Sequence, residues 1–189
     1  MAKPLEEQIS ILQACGINLL PSVTIAQLLS LYDREVLEAE GFETLLVIIG
    51  GELDEEPYGS FSEDIWHFDT ECIEDHGAYV EIAMRLRDLA KGDLPLENIN
   101  DYVNIDENVA WLSFTLDGQE IKWDAVVDND WVDPEIFSRF ADLLAQRNTG
   151  RKFTYCDLGG GQDCLIGCST QDQLERLRKE TGMGFEWLQ

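Results

Sequence analysis

Basic residues are scarce in this chain, and scarcest in its middle. Between Glu35 and Glu135, four lysines and arginines face 28 aspartates and glutamates, a balance of −24 within a chain whose net charge is −25. A field of that sign repels nucleic acid and anionic membranes and speeds encounter with basic partners. Long apolar runs are missing too. None approaches the roughly 20 residues of a membrane span, and the longest, Leu45 to Gly51, has the length of a buried strand. The five cysteines at 15, 72, 156, 164 and 168 are odd in number and lack framework spacing, which fits reduced thiols. The opening MAKPLEEQ lacks the basic-then-apolar order of a secretion signal, so the cytosol is the expected compartment.

Complete catalytic patterns are also lacking. A cysteine nucleophile needs a base, and the chain offers only His67 and His76; acidic surroundings would also raise rather than lower the thiol pKa. The glycine run Asp157 to Asp163 ends in Asp-Cys before a strand, where a phosphate loop requires Gly-Lys-Ser/Thr before a helix. Cys164 stands where the dinucleotide fingerprint needs its third glycine. A calcium loop started at Asp128 would put Val132, Asp133 and Arg139 where an oxygen ligand, a glycine and a glutamate are required. No cofactor is expected. The densest set of possible metal ligands runs from His67 to His76, with His67, Asp69 and His76 as its candidates. It contains neither a His-x₃-His nor a Cys-x₂-Cys pair.

What is present is a good core. An apolar share of 44% over 189 residues predicts one α+β domain, mainly antiparallel sheet packed with four to five helices. Its first 40 residues are helical, a candidate N-terminal lobe. The clearest element is the hairpin over 109–127. Asp117-Gly118 suits a type I′ turn and fixes the register: Leu116 faces Gln119, Phe114 faces Ile121 and Leu112 faces Trp123. That face should lie on the core and leave Trp111, opposite Asp124, on the wetter side. A second hairpin is expected over 151–168.

Helices are predicted from Pro4 to Cys15, from Thr24 (a capping box with Gln27) to Ala39, from Ala78 to Ala90, from an Asp133 cap with Pro134 to Arg147, and from Thr170 to Glu180. Phe42 to Ile49 reads as either a buried strand or the end of a packed helix, with the flanking Gly50-Gly51 favouring the strand. Glu52 to Phe61 reads as a charged loop, Ile65 to Phe68 as a short strand, and Leu94 to Asn108 as a linker. Phe185 to Trp187 would add a last strand.

In size, charge and the aromatic–acidic stretch Trp123 to Asp133, the chain resembles the acidic immunity proteins of bacterial toxin systems, small cytosolic α+β inhibitors of a cognate toxin. The resemblance implies a basic protein partner and carries over no individual residue. The expected function is therefore non-catalytic docking of a basic partner through Trp111, Asp124, Asp128, Asp130, Trp131 and Asp133, with neither nucleic acid nor membrane as partner. The rival expectations are a metal-dependent hydrolase using the His67–His76 turn and a purely structural scaffold.

Overall fold

The computed structural model describes residues 3–39, 41–53 and 59–189. In chain order its helices are α1 (Leu5–Ala14), α2 (Ile25–Leu31), α3 (Arg34–Ala39), α4 (Phe42–Gly50), α5 (Ala78–Leu89), α6 (Pro134–Gln146) and α7 (Gln171–Thr181). The strands are β1 (Glu52–Leu53), β2 (Gly59–Ser60), β3 (Ile65–Asp69), β4 (Leu96–Asn104), β5 (Val109–Leu116), β6 (Gln119–Ala125), β7 (Arg151–Asp157), β8 (Asp163–Thr170) and β9 (Glu186–Trp187). The fold is α+β, as the periodicity predicts. The expected loop over 52–61 includes residues 54–58, which lie outside the described residues; its flanks pair as β1 and β2.

The chain divides into two compact units. The first comprises Met1–Phe68 and Thr154–Trp187. Its sheet has the order β3-β8-β7-β9, and its core buries Leu5, Leu12, Leu28, Leu37, Leu45, Leu46 and Phe185. Fully burying one such side chain contributes roughly 1.5–3 kcal/mol. Both predicted capping boxes form, Thr24 with Gln27 and Thr170 with Gln173. Gly182 ends α7 at φ 73°, a left-handed position that favours glycine.

Two expectations are corrected in this unit. The helix predicted from Thr24 to Ala39 is two, because Tyr32 is extended (φ −133°, ψ 135°) and breaks the ladder between α2 and α3. The run Phe42 to Ile49 is helix α4, not a strand. Leu45, Leu46 and Ile49 are buried while Val47 and Ile48 are only partly so, which is a helical stripe rather than alternation. A Cβ on Gly50 would lie 2.9 Å from the His67 amide nitrogen, so glycine lets the helix end close on β3.

The second unit comprises Asp69–Phe153 and Leu188–Gln189. Its three-stranded sheet has the order β4-β5-β6, and the hairpin register is the predicted one, Leu116 with Gln119, Phe114 with Ile121 and Leu112 with Trp123. The buried side of β5 meets α6 through rings: Phe114 lies 5.4 Å from Phe140, and Trp123 4.9 Å from each. Asp117 at the hairpin tip takes φ 52° and pairs with Arg147, the residue that ends α6.

The expected linker over 94–108 instead contains β4, paired along β5 with an irregularity between Glu97 and Asn100, where Asn98 takes φ 50°. From β4, the carboxylate of Asp101 accepts the amides of Gly77, Tyr79 and Val80 at 2.8–3.2 Å and so caps α5. Four amides at a helix start have no partner within the helix, and a carboxylate also complements its dipole.

Candidate functional site

The candidate site is built around the Asp128–Asp133 segment of the second unit. Asp133 starts α6: its Oδ1 accepts the Glu135 amide at 2.9 Å and its Oδ2 accepts the Val126 amide at 2.8 Å. Pro134 follows at the first helical position, where its missing N–H costs nothing. At 6% exposure, with both oxygens engaged, Asp133 belongs to the frame rather than to the surface. Its expected place among the docking residues is corrected accordingly. Helix capping, legible in the sequence, is what it does.

Beside this segment runs a second acidic one, Asp69 to Asp75. The Val132 amide donates to Thr70 O at 2.9 Å and the Ile73 amide to Asp130 O at 2.8 Å, while Glu71 and Asp128 each form a bridge with Trp131. Asn129 turns the backbone at φ 52°, and the Trp131 amide closes the turn on Asp128 O at 3.0 Å. The Trp131 backbone is therefore held on both sides, yet its side chain remains 40% exposed. Asp124, Asp128, Glu71 and Glu74 are exposed and Asp130 half-buried. Among the described residues, none of these five carboxylates forms an ion pair with a lysine or arginine.

The resulting potential registers on Cys72, within the acidic segment. Burial first, then the carboxylates of Asp69, Glu81 and Glu74, push its thiol up to about 11. A thiol in that setting is protonated and a poor nucleophile. In the sequence Glu71 and Glu74 stand out only as possible ligands of the His67–His76 turn, because the pairing that sets Glu71 against Trp131 is non-local.

Trp111 sits differently. On the outer sheet face its ring stacks against Tyr102 (6.1 Å, 13° between planes), and the Lys122 Nζ lies 3.9 Å over it. Its indole is thus contacted by two neighbours within the sheet, and it is half-buried.

The metal candidates are divided between the two units. His67, in the first unit, places Nε2 3.0 Å from Asp163 Oδ1. His76, in the second, accepts the Val103 amide on Nδ1 at 3.2 Å and lies against Tyr102 at 4.8 Å. Asp69 Oδ1 accepts the Glu71 amide. Among the described residues no three His, Cys, Asp or Glu side chains are grouped as ligands for an ion.

No family model, no curated protein and no solved structure matches this chain. Among the described residues, no helix is long and apolar enough to cross a membrane. Fold and surface together define an α+β protein with an acidic, indole-bearing face.

Proposed function

We propose that this protein is a non-catalytic binding protein that docks a basic protein partner through Asp124, Asp128, Asp130 and Trp131, with Glu71 and Glu74 beside them. The observation that carries the reading is the exposed ring of Trp131, its backbone held between two acidic segments in which the carboxylates of Glu71, Glu74, Asp128 and Asp130 form no ion pair with Lys or Arg among the described residues. Indole beside carboxylate suits an arginine or lysine: the ring face attracts the cation and the carboxylates pair with it. Mutually repelling acids held this close cost stability unless a partner relieves them. The same field argues against nucleic acid or an anionic membrane as the partner. Inhibition in the manner of the immunity-type proteins, in the cytosol, fits that chemistry and the five free cysteines.

The test is capture of basic proteins from lysate at low and at physiological salt, comparing the protein with an Asp124→Lys/Asp128→Lys/Asp130→Lys variant. Captured partners should be lost from the variant and should weaken with salt in the parent. An identical captured set from both discards the proposal.

A further inference from the structure

The outer face of the three-stranded sheet carries an apolar feature next to the charged one. Along that face the register sets Asn104 beside Val109, and Tyr102 beside Trp111 beside Asp124. Val109 precedes and Val126 follows the last β5–β6 pair, Ala110 with Ala125, so both lie at the same end of the sheet. Val109 is 42% exposed and Val126 66%. Ile105 opens the turn between β4 and β5 and is exposed as well. Single exposed aliphatics are ordinary, but these share one end of one sheet. Around them stand Asp106, Glu107, Asp124 and Asp128, all exposed, and among the described residues none of their carboxylates forms an ion pair with a lysine or arginine. An apolar centre with a charged rim is the anatomy of a protein interface.

The chemistry narrows what covers it. A second copy would bring one acidic rim onto another, which opposes self-association. An added strand finds both sheet edges obstructed. On β6, Arg139 Nη1 donates to Asp124 O and Asp133 takes the Val126 amide. On β4, His76 takes the Val103 amide and the irregularity at Asn98 breaks the ladder. A helix needs no free edge, because it lies across a sheet face and contributes side chains alone.

We infer that this end of the sheet seats an amphipathic helix of the partner, its apolar stripe on Val109 and Val126 and its flanking lysines or arginines among the rim carboxylates. The inference rests on the basic-partner reading and adds that charge alone does not suffice.

Two synthetic peptides of identical lysine- and leucine-rich composition test it, one with the leucines in a helical stripe and one with the stripe scrambled, titrated calorimetrically into the full chain. The striped peptide should bind at least about tenfold more tightly. Val109→Asp/Val126→Asp should erase that advantage and Val126→Ser should reduce it, with unchanged melting curves. Equal binding of both peptides, or binding indifferent to the valine variants, overturns the inference and leaves the basic-partner reading standing. No binding of either peptide, together with a triple-lysine variant that captures the same proteins as its parent, removes both. A sedimenting dimer that Val126→Asp dissociates also overturns it, since a second copy then covers the patch.

Discussion

The amide of Asp133 donates to the phenol oxygen of Tyr79 at 3.2 Å, and Tyr79 is completely buried. One residue thus joins three elements. The Asp133 main chain reaches α5, and its two carboxylate oxygens reach α6 and the end of β6. The segment that carries Asp128 and Asp130 ends on this anchored residue.

Asp133→Ala removes the α6 cap and strands the Val126 amide. Losing a cap costs about 1 kcal/mol, and the lost hydrogen bond of the part-buried Val126 amide adds roughly 0.5–1.5 kcal/mol. Asp133→Asn keeps an acceptor and should recover more than half of the loss. Tyr79→Phe, which only deprives the Asp133 amide of its acceptor, should fall between the two. Urea midpoints at constant slope check the order.

Asp101→Ala should destabilise α5 in the same manner, because three amides lose one acceptor. The expected loss is about 2–3 kcal/mol, from the cap and the charge–dipole contribution together. Asp101→Asn should retain part of the capping. Hydrogen exchange of the Tyr79 and Val80 amides should accelerate in the alanine variant before that of the α6 amides.

How much of this was legible depends on whether the cause is local. Asp117-Gly118 fixes a turn by its own backbone, so the β5–β6 register could be read residue for residue. Asp133-Pro134 likewise announces α6. The run at Leu45 to Ile49 carries no polar punctuation, so its helical state is decided by what packs around it. The β4 segment misled for the opposite reason. Asn98, Asn100 and Asp101 look like turn residues, but one makes the irregularity, one bonds its neighbour's carbonyl, and one caps a distant helix. The approach of Glu71 to Trp131 depends on pairing across 60 positions of chain, which no local pattern encodes.

Alkali should find two thiols that resist ionisation. Burial, reinforced by nearby carboxylates, pushes Cys72 up to about 11 from 9.0, and burial does the same for Cys156. With the folded pKa above the unfolded one, the unfolded chain releases protons first as pH rises. Stability from these groups is therefore intact below pH 9 and declines as pH climbs towards 11. Cys72→Val should flatten that limb of the urea midpoint against pH. A variant whose alkaline limb matches the parent's would show that Cys72 contributes nothing to it. Iodoacetamide at neutral pH should label Cys72 and Cys156 slowly, because the thiolate is the reactive form.

Two tryptophans on the acidic unit separate docking from packing. Trp131 presents an open indole between Asp128, Asp130 and Glu71, whereas Trp111 already contacts Tyr102 and Lys122. If a cation-bearing partner docks here, Trp131→Ala should cost about 2 kcal/mol of affinity, near thirtyfold in Kd, with little change in melting. Trp111→Ala should lower stability by roughly 1 kcal/mol, through its lost stacking and cross-strand contacts, and affect binding less. Raising salt should weaken binding to wild type and Trp131→Ala in parallel, since the carboxylates remain in both. Measured against any captured partner, an affinity loss larger for Trp111→Ala than for Trp131→Ala would move the docking surface off the Asp128–Asp133 turn and onto the sheet.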